Sequence, residues 1–127
     1  MMKQHSNHFL DLVTEAKKHI KEISAETLHG MLESGKVFHL VDVREEEELP
    51  SGCIPNALHI SKGVIERDIE KSISDLNAEI VVYCSGGFRS ALVAQNLQTM
   101  GYQNVASLND GLRNWVENGF PLAPLAT

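Results

Sequence analysis

The sequence predicts an α/β domain: a mainly parallel central sheet flanked by helices, with an extra helix at the N-terminus. The β-branched, nearly all-apolar runs at 37–43 and 80–83 read as strands buried on both faces, the mark of a parallel sheet. Segments with helical apolar spacing alternate with such runs along the chain. Glycine or proline closes many of these segments, and no repeat, low-complexity tract or long linker interrupts them.

Phe9, Leu12, Val13, Ala16 and Ile20 recur at helical spacing, so residues 7–19 form an amphipathic helix. Residues 1–21 are an extension carrying that helix, which packs on its own domain or on a partner, and residues 22–127 are the domain. Lys17, Lys18 and Lys21 read as a solvated face. Ile23-Ser24 is a short extended piece, with Ser24 as N-cap and Ile23 and Leu28 as a hydrophobic staple. That helix runs to about Ser34 and stops at Gly35. The strand 37–43 follows. Glu45–Glu48 suit a short exposed helical turn, and Pro50, Gly52 and Pro55 punctuate a loop. Ala57–Ile60 is a second strand, 62–70 a small helix and 72–76 a turn. Ile80–Tyr83 is the clearest buried strand. Arg89–Met100 is a helix stopped by Gly101, Val105–Leu108 the last strand, and Asp110–Asn118 the last helix, ended by Gly119 and Pro121.

The chain has 127 residues, 43% hydrophobic and 22% charged, which suits one domain with a real core. Its formal net charge of −6 leaves no basic excess to neutralise phosphates, so neither a nucleic acid nor an anionic membrane is an expected partner. No apolar run approaches the roughly 20 residues of a membrane span. The N-terminal residues show no apolar signal core, so a cytoplasmic location is expected. Two cysteines, Cys53 and Cys84, make no disulfide framework, and a reducing compartment would keep a thiol free. The histidines His5, His8, His19, His29, His39 and His59 show no metal-ligand spacing with the cysteines, and no metal or cofactor is expected.

Residues 81–97, VVYCSGGFRSALVAQNL, put Cys84 where a strand gives way to a glycine turn and a helix. In a parallel sheet, ligands bind beyond the carboxyl ends of the strands. Cys84 lies at one such end and Asp42-Val43-Arg44 at another. The nucleophile is the thiolate, and an ordinary cysteine near pKa 8.5 is mostly protonated at neutral pH. The helix starting near Arg89 aims its free N–H groups and dipole at the loop. Gly86 and Gly87 let successive N–H groups curl into an anion-binding nest, and Arg89 adds a permanent charge. The plain alternative is a core cysteine ending a strand before an ordinary glycine turn. The order strand–Cys–Gly–Gly–helix, with an arginine five places on, favours chemistry.

Several segments carry a family resemblance. CSGGFRS (84–90) resembles the C-x-x-G-x-R-S active-site loop of the rhodaneses, and VDVRE (41–45) their first signature. Glu48 with Gly52-Cys53-Ile54-Pro55-Asn56-Ala57 resembles their E-x-x-x-G-H-I-P-G-A segment. Gly101-Tyr102 with Val105, and Asn109-Asp110-Gly111 with Trp115, resemble the later motifs. Over Ile23 to Pro121 the chain is similar to a single-domain rhodanese, a sulfurtransferase. The resemblance implies a rhodanese-like fold and a Cys84 nucleophile that becomes a persulfide. It implies that Ser85, Gly86, Gly87, Phe88, Arg89 and Ser90 are the substrate-binding loop, and that Asp42 and Arg44 buttress the site. It implies small sulfur-containing anions or persulfides as donors, and cyanide, a thiol or a protein as acceptor. Related phosphatases and arsenate reductases span seven residues from cysteine to arginine, whereas Cys84 to Arg89 spans six. That difference favours sulfur transfer over oxyanion chemistry, and the presence of Cys84 argues against a non-catalytic binding module, since such modules commonly lose the cysteine.

Five positions need separate expectations. Cys53 stands where relatives carry histidine. It reads as a resolving thiol or, better, as a small buried hydrophobe nearer the amino ends of the strands. Asn56 and Asp110 replace usual glycines as turn residues. Phe88 either walls the site or packs under the loop, and Ser90 either caps the helix or touches the sulfur. Relatives that use thiosulfate well carry extra basic residues. The loop holds no cation but Arg89, so a persulfide is the favoured donor.

Overall fold

A computed structural model describes residues 5–125 of the chain. Five strands form one sheet: β1 (Lys21–Ile23), β2 (His39–Asp42), β3 (Leu58–His59), β4 (Ile80–Tyr83) and β5 (Val105–Leu108). Their order is β1-β5-β4-β2-β3, and every pairing is parallel. Five helices accompany them: α1 (Asn7–Lys17), α2 (Ala25–Glu33), α3 (Ile65–Ser72), α4 (Phe88–Met100) and α5 (Gly111–Glu117). No helix among the described residues is long and apolar enough to cross a membrane.

Side chains of β4 alternate across the sheet, as a strand buried on both faces requires. Ile80, Val82 and Cys84 join Val41 and Val43 in a core beneath Ile65 and Ile69 of α3 and Val93, Ala94 and Leu97 of α4. Val81 and Tyr83 join Leu40 and Leu108 on the other face, under Leu28 of α2 and Leu112 and Trp115 of α5. α1 packs outside this sandwich, against α4, through the buried Val13 and Ala16. Its N-cap is Ser6, whose Oγ accepts the Phe9 N–H at 3.3 Å. Ser24 caps α2 in the same way, accepting the Thr27 N–H at 3.1 Å.

The register levels the strand ends. Asp42 lies opposite Tyr83, so Cys84 and Arg44 both leave the sheet at its carboxyl edge. From β4 the chain crosses to β5 on one side, and from β2 to β3 on the other. Cys84 and the Asp42–Arg44 segment therefore flank a topological switch point, the usual crevice of an open parallel sheet.

Several boundaries differ from the sequence reading. β2 begins at His39 rather than residue 37, and Val37 is 92% exposed. The reason is partnership: β4 starts at Ile80, opposite His39, so no strand pairs with the two preceding residues, although Phe38 still packs its ring against the Tyr83 face of the core. The acidic turn is a 3-10 turn over Glu46–Ser51 that takes in Pro50. α3 starts at Ile65 and reaches Ser72. Asn56 and Asp110 adopt left-handed φ of 72° and 60°, the conformation their glycine-like positions demand.

Candidate active site

Cys84 follows the last residue of β4, and α4 starts four residues later. The intervening turn is held on two sides. Gly87 sits at φ 90°, where a Cβ would come within 3.0 Å of the Asp110 nitrogen and 3.3 Å of the Leu108 carbonyl oxygen. The start of α5 supports it from behind: Leu112 N–H donates to the Cys84 carbonyl at 2.9 Å, and Arg113 N–H to the Ser85 carbonyl at 3.0 Å. Gly111, at φ 61°, lies so close that a Cβ would stand 2.6 Å from both carbonyl oxygens.

Within that turn the Cys84 Sγ receives two backbone N–H groups, from Gly87 at 3.2 Å and Ser90 at 3.4 Å. The sulfur also lies 3.5 Å from the Ser90 hydroxyl, which pairs with the Ser107 hydroxyl at 2.8 Å. The donors that meet the sulfur are thus three residues apart, not consecutive. Ser90 sits inside α4 and touches the sulfur, while the N-cap position belongs to Gly87. Backbone donors aimed at a sulfur stabilise negative charge on it.

Arg89 directs its hydrogen bonds to groups other than the Cys84 sulfur. Its guanidinium forks onto the Glu48 carboxylate, at 2.6 and 2.9 Å, and touches the Ser85 hydroxyl at 3.3 Å. Ser85 Oγ in turn donates to Glu48 at 3.1 Å. The Arg89 guanidinium holds the Glu48 carboxyl well below the usual range, at about 2. The same pairing raises the Arg89 pKa.

Asp42 and Arg44 build the support under Glu48. Both are essentially buried. Arg44 Nε lies 3.1 Å from each Asp42 oxygen, and Arg44 Nη2 lies 2.8 Å from Oδ2. The Arg44 fork then reaches the Glu48 carbonyl at 3.2 Å and the Gly52 carbonyl at 2.8 Å. A buried charge with all three guanidinium nitrogens hydrogen-bonded fixes the 3-10 turn, which aims Glu48 at the loop. Neither Asp42 nor Arg44 lines the cavity.

Cys53 is 1% exposed, with its thiol 3.8 Å from the Arg44 guanidinium. Burial pushes that thiol's pKa up, and the Asp42 carboxylate adds to the effect. Its neighbour Ile54 packs on the Tyr83 face of the sheet and donates its N–H to the Tyr83 hydroxyl at 3.1 Å. Cys53 therefore lies at the carboxyl end of β2, not nearer the amino ends, but with the face opposite Cys84. Both cysteines are free.

Cys84, Ser85, Gly86, Phe88 and Arg89 line a cavity of about 640 Å³ together with Glu48, Arg113, His5, Ser6 and Phe9. Phe88 is a wall of it, in contact with the His5 and Phe9 rings at centroid distances of 5.1 and 6.2 Å. Sequence reasoning missed the Glu48 clamp, Arg113 and the α1 residues. Glu48 lay within a quoted motif, but its partner is 41 residues away. Nothing in the α1 periodicity indicated that its start would face Cys84.

The rhodanese-like domain family matches residues 24–118. Bacillus subtilis YtwF, provisionally named a sulfurtransferase, is 38% identical over 96 residues, 76% of this chain and 90% of that protein. A sulfurtransferase of Allochromatium vinosum is 32% identical, over 81% of this chain and 94% of its own. Among solved structures, the polysulfide-sulfur transferase homodimer of Wolinella succinogenes aligns with TM-score 0.78 at 28% identity, covering 94% of this chain and 89% of its own. A Rhodopseudomonas palustris protein of unknown function, suggested to be a tyrosine phosphatase, aligns with TM-score 0.82 at 26% identity over 97% of this chain and 99% of its own. The chain belongs to the rhodanese-like family, whose members similar to it in sequence include proteins named as sulfurtransferases.

Proposed function

We propose that the chain moves a sulfane sulfur from a donor to a thiophilic acceptor through a persulfide on Cys84. The observation that carries this is that Cys84 lines a cavity and has the Gly87 and Ser90 N–H groups directed at its sulfur. In the first half-reaction the Cys84 thiolate attacks the outer sulfur of the donor. With thiosulfate, the S–S bond breaks, sulfite leaves with the bonding pair, and Cys84 holds a persulfide anion. In the second, cyanide or a thiolate attacks the outer sulfur of that persulfide, and the Cys84 thiolate returns. The negative charge stays on sulfur in the cradle, where fixed backbone dipoles stabilise it without rearranging. Arg89, clamped by Glu48, fixes the loop and presents its edge to the cavity.

Intact mass tests the reading. Reduced protein incubated with thiosulfate, or with glutathione persulfide, should gain one sulfur on Cys84 and lose it to cyanide. Cys84→Ser should gain none, and Cys53→Ser should behave as wild type. Absence of a gain with both donors would refute the proposal. The Rhodopseudomonas palustris neighbour supplies a second reading, so a phosphate ester and arsenate belong in the same assay; Cys84-dependent turnover of either would favour oxyanion chemistry.

A further inference from the structure

A sulfur cradle needs space for a sulfur atom and its leaving group, but the cavity here is about 640 Å³. That is the size of a pocket for a small organic molecule, about 300–1,000 Å³. Its outer wall is aromatic and comes from two elements far apart in the chain. The His5 and Phe9 rings lie 5.2 Å apart, and each packs against Phe88. Lys17 adds its ammonium 5.5 Å from the Phe88 ring centroid. His5 and Phe9 lie outside the segment matched by the family, 24–118, so the catalytic turn is complete without them. They are nonetheless held in place: Ser6 caps the helix and Val13 and Ala16 anchor it. On α5, the Arg113 side chain lines the same cavity, and no ion pair among the described residues engages it. Arg89, by contrast, is already paired with Glu48.

We propose that His5, Phe9, Phe88 and Arg113 form a subsite for the organic body of a low-molecular-weight persulfide that carries a carboxylate. This rests on the sulfur-transfer reading of Cys84. The methylene and amide part of such a donor lies against the rings, its carboxylate meets Arg113, and its outer sulfur reaches Cys84. The Cys84 thiolate attacks the outer sulfur of R–S–SH, the S–S bond between its two sulfurs breaks, and R–S⁻ leaves with the bonding pair. The proton on the transferred sulfur passes to the departing thiolate, so the products are R–SH and the Cys84 persulfide anion. No external oxidant or reductant is needed. Thiosulfate, which has no organic body, gains nothing from the rings.

The test compares donors. For Phe9→Ala and Arg113→Ala, the kcat/KM for glutathione persulfide is divided by that for thiosulfate. The ratio should fall about tenfold in each, chiefly through KM for the persulfide. Leu12→Ala, on the exposed side of α1 and away from the cavity, should leave the ratio unchanged. Two variants on separate elements guard against a folding defect in one, and a thermal melt identifies such a defect. An unchanged ratio in both folded variants would overturn the subsite. So would wild-type loading by thiosulfate with none by glutathione persulfide, and that result would leave the Cys84 reading standing. No loading by either donor would overturn both.

Discussion

Glu48 ties the site together at the scale of single residues. Its backbone is gripped by Arg44 and its side chain grips Arg89 and Ser85. Its carboxyl titrates near 2 in the fold, whereas an unfolded glutamate titrates at about 4.3. As pH falls, the unfolded chain takes up this proton first. The clamp's contribution to stability is therefore full above about pH 5 and drains away as pH drops through about 4 toward 2. The gap in urea midpoint between wild type and Glu48→Gln should hold constant from about pH 7 to 5 and narrow below about 4. A gap independent of pH down to the acid limit would disprove the clamp. Reading along the chain, Glu48 was one of four consecutive glutamates in an exposed turn, and the residue type alone could not reveal a partner on another element.

Among the elements, the start of α5 does as much for the cysteine as β4 does. Leu112 and Arg113 N–H groups hold the Cys84 and Ser85 carbonyls, and Gly111 lets the two segments touch. Gly111→Ala combines a left-handed φ with a 2.6 Å approach to backbone oxygen that cannot step aside. It should lower the unfolding free energy by at least about 2 kcal/mol, read by chemical denaturation, and slow sulfur loading at Cys84. The strand–turn–helix of residues 80–100 was legible because its signals are local: a β-branched run, two glycines, then helical spacing. Asn109-Asp110-Gly111 was legible as a turn for the same reason. That this turn presses on the cysteine loop was not, because the contact is made by folding and leaves no periodicity. The start of β2 was misplaced for a related reason: Val37 and Phe38 have strand chemistry, but no strand lies beside them.

For the whole molecule, the parallel sheet orders stability from the centre outward. β4 is paired on both sides and buried on both faces, while β1 and β3 are edges. Amide exchange should be slowest in β4 and fastest, among the strands, in β1 and β3; comparable protection in edge and centre would contradict this layering. The alternation of strands and helices made this architecture readable from sequence. The docking of α1 beside the cysteine was not readable, since an amphipathic face specifies burial but not against what. The clamp over Arg89 also has a bearing on selectivity. A carboxylate of the protein's own already occupies the guanidinium, so an anion arriving there must evict it, exchanging one ion pair for another of similar worth. Charge alone then earns a newcomer little. At Arg89, in a chain of net charge −6, selection among anions falls to whatever else they bring: shape, apolar surface and a second anionic group that reaches Arg113.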